Sequence, residues 1–324
     1  MIRYILYRSG YSLLLVWGIV TFTFLLLNAV PGDPSTIYLR PDIDAETLYY
    51  LRKHMGLDLP IWQRYWNWLF AASKGILGIS FTHHRPVLDL LAEALPNTLR
   101  LTIVVFFLQL FGGIGLAIVM ALIRRPVILK GIESTLAICY SLPGFVIALF
   151  LIYVFSYQLN WLPSGQMQSM LPTEGRGYLG DLFRHTLLPA LAFAIPLGAF
   201  TARLTYGNLC EVLSKPYIRT AQAYGISRTR ILFSDALRNA LLPLITMSGL
   251  FFPVLLGGSV IIENVFAWPG MGTIAVQAVH AYDYPVIIAV SIISAISIVI
   301  GNLLADILYV VCDPRINLHN QVQV

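Results

Sequence analysis

Tyr217-Ile218-Arg219-Thr220-Ala221-Gln222-Ala223-Tyr224-Gly225-Ile226-Ser227-Arg228-Thr229-Arg230 is the one extended polar stretch in the second half of this 324-residue chain. Proline and glycine bracket its first part: Pro216 suits the first turn of a helix, and Gly225 suits the left-handed position after the last turn. A helix of two to three turns is predicted, with Tyr217, Ala221 and Tyr224 at i, i+4 and i+7 on one face and Arg219 and Gln222 pointing elsewhere. An isolated helix below ~12 residues is marginal in water, so this one needs a surface to lie against. Its neighbours are two apolar runs, 186–209 and 239–262.

The rest of the composition says what those runs are. The chain is 57% hydrophobic and only 11% charged, against about 25% charged in an ordinary soluble domain. It reads as an all-α polytopic membrane protein. The net charge of +5 is distributed among the loops and not collected on one face, so it reports topology and implies no nucleic-acid partner. Cys139, Cys210 and Cys312 form no CxxC pair and no metal-ligand spacing, and read as packing residues. Arg3 and Arg8 precede an apolar run over 11–30 that exceeds the ~7 to 15 residues of a signal-peptide core, so it is expected to stay as a first span.

Six segments approach the ~20 apolar residues a bilayer requires: 9–30, 98–123, 132–158, 186–209, 239–262 and 285–311. The domain reading follows: 1–30 as N-terminus and first span, 31–97 as a cap, 98–311 as the core with a polar loop over 210–238, and 312–324 as a tail. Within the cap, Asp44 is expected to start a helix carrying Leu48, Leu51 and Met55 and closed by Gly56. A second helix starts at Pro60, with Ile61, Tyr65, Trp68 and Leu69 on one side, and ends by Gly75. A third starts at Pro86, with Leu88, Leu91 and Leu95 facing one way, and Pro96 is expected to stop it. Trp62, Tyr65, Trp66 and Trp68 favour the membrane interface, where indole and phenol rings sit at headgroup level. A small cap without chemistry is the plainer alternative.

Lys and Arg set the orientation. Arg3, Arg8, Arg124, Arg125, Lys130, Arg203, Lys215, Arg219, Arg228, Arg230, Arg238 and Arg315 fall at one set of ends, and only Arg176 and Arg184 at the other short loops. The first set is expected to face the cytoplasm, which places both termini and the Tyr217 stretch inside and the cap outside. Glu133, Arg203, Glu263 and Asp306 lie near span ends, where each can snorkel or pair locally, so no buried proton or ion relay is called for. Pro143 and Gly144, Pro189, Pro196 and Gly198, and Pro243, Pro253, Gly257 and Gly258 interrupt three spans. Such breaks occur where helices pack together or line a cavity, which makes Pro143, Pro196, Pro253, Gly257 and Gly258 pathway candidates; close helix packing alone is the alternative. No phosphate-binding loop, HExxH or GxSxG is found, and Gly112-Gly113-Ile114-Gly115 sits inside a span as packing. His83-His84 reads as a surface pair.

Several stretches in order resemble the inner-membrane permease subunits of ABC importers, in the dipeptide, oligopeptide and nickel family. They are Pro31-Gly32-Asp33-Pro34, Met55-Gly56-Leu57-Asp58-Leu59-Pro60, the Tyr217–Gly225 stretch, Ala236-Leu237-Arg238-Asn239-Ala240-Leu241-Leu242-Pro243, Glu263-Asn264-Val265-Phe266-Ala267-Trp268-Pro269-Gly270-Met271-Gly272, Asp283-Tyr284-Pro285 and Asp313-Pro314-Arg315. The resemblance implies a type I ABC importer permease fold of six transmembrane helices with an extracytoplasmic helical cap between the first two. It implies a bacterial inner-membrane location, a second homologous permease as heterodimer partner, two ABC ATPase subunits that carry the ATP and Mg, and an extracytoplasmic binding protein. No cofactor is expected on this chain, and no catalysis.

The Tyr217 stretch resembles the EAA loop of such permeases, a short cytoplasmic coupling helix that docks on the ATPase. Against the general E-A-A-x-x-x-G pattern this chain has Arg219, Thr220, Ala221 and Gly225, without the acidic first residue. Tyr217, Ile218, Arg219, Thr220, Ala221, Tyr224 and Gly225 are the expected ATPase-coupling residues. Short peptides are the implied cargo, with nickel complexes and small oligosaccharides behind them. An ion-driven secondary transporter, and a membrane-embedded enzyme or scaffold, are the readings from other classes; the absence of a convergent His, Cys and carboxylate set argues against an enzyme.

Overall fold

The computed structural model describes residues 2–29, 58–169 and 177–312. They form two compact units, one of residues up to Asn97 together with Pro269–Val299, the other of Thr98–Trp268 with the chain from Ile300. The Asp44 helix, the Pro31–Pro34 turn and the Asp313–Arg315 motif of the sequence reading lie outside the described residues.

In the first unit, α1 (Ile2–Ala29) is the first span. From Gly10 onward only Val20 and Phe24 of its side chains are buried, as expected of a helix whose surround is lipid. The predicted cap helix forms as α2 (Ile61–Ser73), entered through Pro60 and left through Gly75 at φ +81, a backbone state open to glycine. It lies on α1: the Thr21 and Tyr65 hydroxyls are hydrogen-bonded at 2.7 Å, and the Phe24 ring meets Tyr65 edge-on at 5.3 Å.

The next helix corrects the sequence reading. Pro96 does not stop it: α3 runs unbroken from Val87 to Leu122. Pro96 removes only the hydrogen bond to the Ala92 carbonyl, and Ala92 and Pro96 share the exposed face, where that carbonyl is not stranded in a core. Of the predicted Leu88, Leu91 and Leu95, Leu91 is buried and Leu95 packs half-buried on the same cluster, while Leu88 is exposed. Val87, Leu90, Leu91 and Ala94 are buried, against Met271 and Ala278 of α9 (Met271–His280) and Val286 and Ala289 of α10 (Tyr284–Cys312).

A buried carboxylate ties the loop before α3 to this packing. Asp283, 1% exposed, accepts the Ser80 hydroxyl at 2.5 Å and the Thr82 amide at 3.0 Å, and Ser80 in turn accepts the His83 amide at 2.9 Å. His83 and His84 are exposed beside it.

The second unit is organised on α6 (Tyr178–Leu213), which touches α4 (Pro126–Ser141), α5 (Gly144–Leu151) and α8 (Leu242–Val265). Pro189 and Pro196 lie inside α6 without ending it. The predicted span 132–158 is broken at Leu142 and Pro143: α4 and the helix that follows, α5 continued as a π-helical stretch Ile152–Gln158, meet at 103°. Four helices (α1 from Gly10, α3, α6 and α10 to Leu303) are long and apolar enough to cross a membrane among the described residues, and the bent pair would add a fifth.

At the crossing of α3 and α6 the chains are in near contact. A Cβ on Gly113 would stand 2.7 Å from Thr201 Cβ and 2.9 Å from the Gly198 carbonyl oxygen. The same crossing buries Gln109, whose Oε1 accepts the Thr201 hydroxyl at 3.0 Å. Of the Gly112-Gly113-Ile114-Gly115 run, only Gly113 has a close-packing role; Gly112 and Gly115 face open space.

Gly113→Ala is expected to destabilise the detergent-solubilised protein by about 1–3 kcal/mol, read as a lowered Tm, because neither the Thr201 Cβ nor the Gly198 backbone can swing away. Gly115→Ala is the matched control and leaves Tm within error; equal Tm values for the two variants would contradict this packing.

Candidate functional site

The stretch Tyr217–Arg230 folds as predicted in its first half. Helix α7 is Pro216–Ala223, with Pro216 in its first turn and Lys215 extended before it. Its end is a Schellman closure: the Ile226 amide donates to the Ala221 carbonyl at 3.2 Å and the Gly225 amide to Gln222 at 3.0 Å. Gly225 carries φ +76, and a Cβ there would meet nothing within 4 Å, so its role is backbone conformation alone.

The helix also rests on its own chain, through a residue outside the Tyr217, Ala221 and Tyr224 face: Ile218 is fully buried, and Ala221 is half-buried at i+3 from it. Helix α7 packs on the chain's own π-helical segment Ile231–Ala236, whose Ile231, Leu232 and Ala236 are buried in turn. Tyr217 is 45% exposed and Tyr224 83%, and Arg219 and Thr220 are exposed with them. Tyr217 is nevertheless held, since the Asn239 side-chain amide donates to its hydroxyl at 3.3 Å. Arg228, after the turn, reaches the Ala121 carbonyl in the last turn of α3 at 3.4 Å, a favourable place for a cation. Lys215 and Glu211 pair at 3.3 Å on the exposed surface, a contact worth little by itself. The arrangement is a short helix clamped on its inner side and presenting an aromatic and basic outer face.

The pathway candidates lie on three different helices. Pro143 is the exposed residue preceding α5, in extended conformation. Pro196 is half-buried within α6, and it leaves the Ala192 carbonyl without its helical donor. These two positions are brought together: Gly144, next to Pro143, has its would-be Cβ 3.8 Å from that Ala192 oxygen. Gly257 is exposed on α8 with open space where a Cβ would stand. Pro253 and Gly258 lie within α8, at positions whose side-chain surroundings are outside the described set.

Two cavities of the second unit hold the polar groups that the sequence reading did not join. One, about 880 Å³, is lined by Asp181, Arg184 and His185 of α6, the 160–169 loop and Phe266. The loop is tied down at both ends. Ser169 gives its hydroxyl to Asp181 Oδ1 at 2.8 Å and its amide to Oδ2 at 2.7 Å. His185 Nδ1 donates to the Gly165 carbonyl at 2.8 Å, and the Gln166 amide donates to the Phe266 carbonyl at 2.7 Å. A Cβ on Gly165 would sit 2.5 Å from that same carbonyl oxygen, so only glycine fits. The other cavity, about 420 Å³, brings Lys130 and Glu133 of α4 beside Arg203 and Tyr206 of α6. Glu263 is fully buried, so of the two arrangements expected for it, snorkelling or local pairing, snorkelling is excluded.

With this geometry in view, the chain was compared with known proteins. Residues 113–318 match the family described as binding-protein-dependent transport system inner membrane component, and residues 1–102 match its N-terminal companion. The oligopeptide transport system permease protein AppB of Bacillus subtilis is 40% identical over 98% of this chain and 99% of its own length. The glutathione transport system permease protein GsiC of Shigella flexneri is 35% identical with the same coverage. Among solved structures, an inward-facing form of the MetNI methionine ABC transporter matches with TM-score 0.57 and 18% identity, over 69% of this chain and 96% of that one. An amino acid ABC transporter crystallised with histidines gives 0.52 and 18%, over 68% and 93%. These likenesses carry the fold. The chain belongs to the binding-protein-dependent transport system inner-membrane component family: it is a multi-pass inner-membrane permease subunit of an ABC importer.

Ile218→Ala removes the one fully buried side chain of α7 and is expected to cost about 2–5 kcal/mol of local docking. Gly225→Ala forces a Cβ into the left-handed region at about 1–2 kcal/mol. Both should raise amide hydrogen exchange over residues 216–226, Ile218→Ala the more. Unaltered protection in Ile218→Ala would mean the clamp is not what holds the helix.

Proposed function

We propose that this chain forms half of the translocation pathway of an importer for short peptides and that α7 is its coupling helix. ATPase subunits would drive the chain through Tyr217, Arg219, Thr220, Tyr224 and Gly225, with Ile218 and Ala221 as the inner fastening. The observation that carries this reading is the division of α7 into a clamped face and a free one. A helix that transmits force needs a rigid mount on its own subunit and an unpaired face for the other. Tyr224, 83% exposed at the end of the helix, is the more exposed of the two tyrosines on that face.

The assembly we infer contains a second homologous permease chain, two ATPase subunits that bind ATP and Mg, and an extracytoplasmic binding protein. This chain performs no chemistry of its own. In it six spans cross the membrane, both termini and α7 face the cytoplasm, and α2 belongs to a cap on the opposite side. What supports that orientation is the set Arg124, Arg125, Lys130, Arg203, Lys215, Arg219, Arg228, Arg230 and Arg238, which shares the α7 end of the chain's helices in sequence. The break at Pro143 against the Ala192 carbonyl supports a pathway there, since irregular backbone at membrane depth is tolerated where it is covered by protein or lines a cavity.

ATP acts in this scheme by preferring one conformer of the pair. A ~10⁴-fold difference in affinity between two conformers shifts a population from 1:99 to 99:1. The peptide assignment is supported by the relatives whose names specify oligopeptides and glutathione.

Tyr224→Glu should abolish co-purification of the ATPase subunits and leave the permease inserted at normal level; undiminished ATPase recovery and transport would refute the coupling role. For the cargo, the whole assembly is purified with its binding protein and the retained ligand identified by mass spectrometry. A short peptide is expected, and a metal chelate or oligosaccharide in its place would overturn the assignment.

A further inference from the structure

We infer that α2 is embedded at the membrane interface and that its outward face, Trp62, Trp66 and Phe70, is seated among phospholipid headgroups and upper acyl chains. Helix α2 has no buried residue. Its side chains nevertheless divide into two aromatic faces. Tyr65 and Trp68 turn toward α1, with the Tyr65 hydroxyl on Thr21 at 2.7 Å and both rings within 5.9 Å of Phe24. Trp62, Trp66 and Phe70, at i, i+4 and i+8, form a second stripe, each 60% exposed or more.

The contact with α1 fixes the depth. The apolar part of α1, Gly10–Ala29, has 20 residues, about 30 Å at the helical rise, which matches the hydrocarbon thickness of a bilayer. Thr21 precedes the end of that span at Ala29 by about 12 Å and Phe24 by about 8 Å. A helix hydrogen-bonded to Thr21 and stacked on Phe24 cannot stand clear of the membrane in water. Its free side meets whatever surrounds α1 at that level. There α1 itself exposes Phe22, Leu25 and Leu26, so the outer stripe of α2 continues the lipid-facing surface of the span.

The chemistry of the stripe fits that surround. Indole and phenyl rings are the residues favoured at headgroup level, and an interfacial helix buries its apolar face about 5–10 Å into the headgroup and acyl boundary. At the C-terminal end Lys74 lies with its ammonium 4.0 Å from the centre of the Phe70 ring. That geometry holds a cation beside the apolar stripe, within reach of phosphate. This inference needs only that α1 spans the membrane, and it stands or falls apart from the coupling and cargo assignments.

The test uses the complete transporter in nanodiscs of phosphatidylethanolamine and phosphatidylglycerol. Spin labels are placed singly through Trp62→Cys, Trp66→Cys and Phe70→Cys in a chain with Cys139, Cys210 and Cys312 replaced by serine. All three positions are expected to be open to oxygen and shielded from a water-soluble nickel chelate, with a severalfold higher ratio than a label at exposed Thr82. Access to the nickel chelate at all three would show a cap in water, and exclusion of both relaxers would show a protein seated on the stripe; either overturns the inference. A second measurement avoids substitution: photolysis of a phospholipid with a diazirine in its acyl chain, on the unaltered complex. Adducts on Trp62, Trp66 or Phe70 are expected, and adducts on α1 with none on α2 would overturn it equally.

Discussion

In a hydrocarbon surround no water is present to satisfy a backbone amide or carbonyl, and each group left open costs several kcal/mol. That constraint decides where this chain can bend. Pro96, Pro189, Pro196 and Pro143 all remove a helical hydrogen bond, yet only Pro143 breaks the helix. Pro96 leaves a carbonyl on an exposed face near the start of a 36-residue helix, which is longer than the ~30 Å hydrocarbon core requires. Pro196 leaves the Ala192 carbonyl inside, and there the start of α5 comes near it, a Cβ on Gly144 standing 3.8 Å from that oxygen. The sharp turn at Pro143 and the continuous helix at Pro196 are two parts of one packing solution.

Close packing does for the second unit what the hydrophobic effect does less well in lipid, where apolar side chains gain little by leaving their surround. Gly113 lets α3 approach the backbone of α6, and the Gln109 and Thr201 side chains hydrogen-bond across the same crossing. At the N-terminal end of α6, Asp181, His185 and the Phe266 carbonyl hold the 160–169 loop by polar contacts. In the first unit Asp283 plays the corresponding part for the loop around Ser80. Buried Asp283 and His185 are thus placed where irregular backbone must be fastened, whereas Gln109 and Thr201 join two regular helices. Glu263 at the end of α8 is fully buried in the same region as the Phe266 turn.

Helix α7 joins these themes to the proposed coupling. Its eight residues are too few to hold a helix in water, and Ile218, the Schellman closure at Gly225 and the Asn239 contact to Tyr217 supply what the length does not. The exposed tyrosines and arginines are thereby presented on a fixed mount. A permease of an ABC importer has need of such a surface, because the energy source is on another subunit.

The sequence by itself determined the class, most of the apolar runs and the ends of α7 and α2, though not the continuity of α3 through Pro96 or the break at Pro143. Length and composition of the runs set which segments can span, Pro216 and Gly225 bracket α7 because proline lacks a donor and glycine tolerates a positive φ, and Pro60 and Gly75 bracket α2 for the same reason. These are local properties, written in a few adjacent residues. Which face of a helix is covered is not local. Ile218 is buried and Tyr217 is not on a helix that packs on the Ile231–Ala236 segment, and Val87 and Leu90 are buried because Met271 and Val286 arrive from nearly two hundred residues away. The tertiary structure alone decided those faces, and with them the side of α7 left free and the place on α1, at Thr21 and Phe24, where α2 is held.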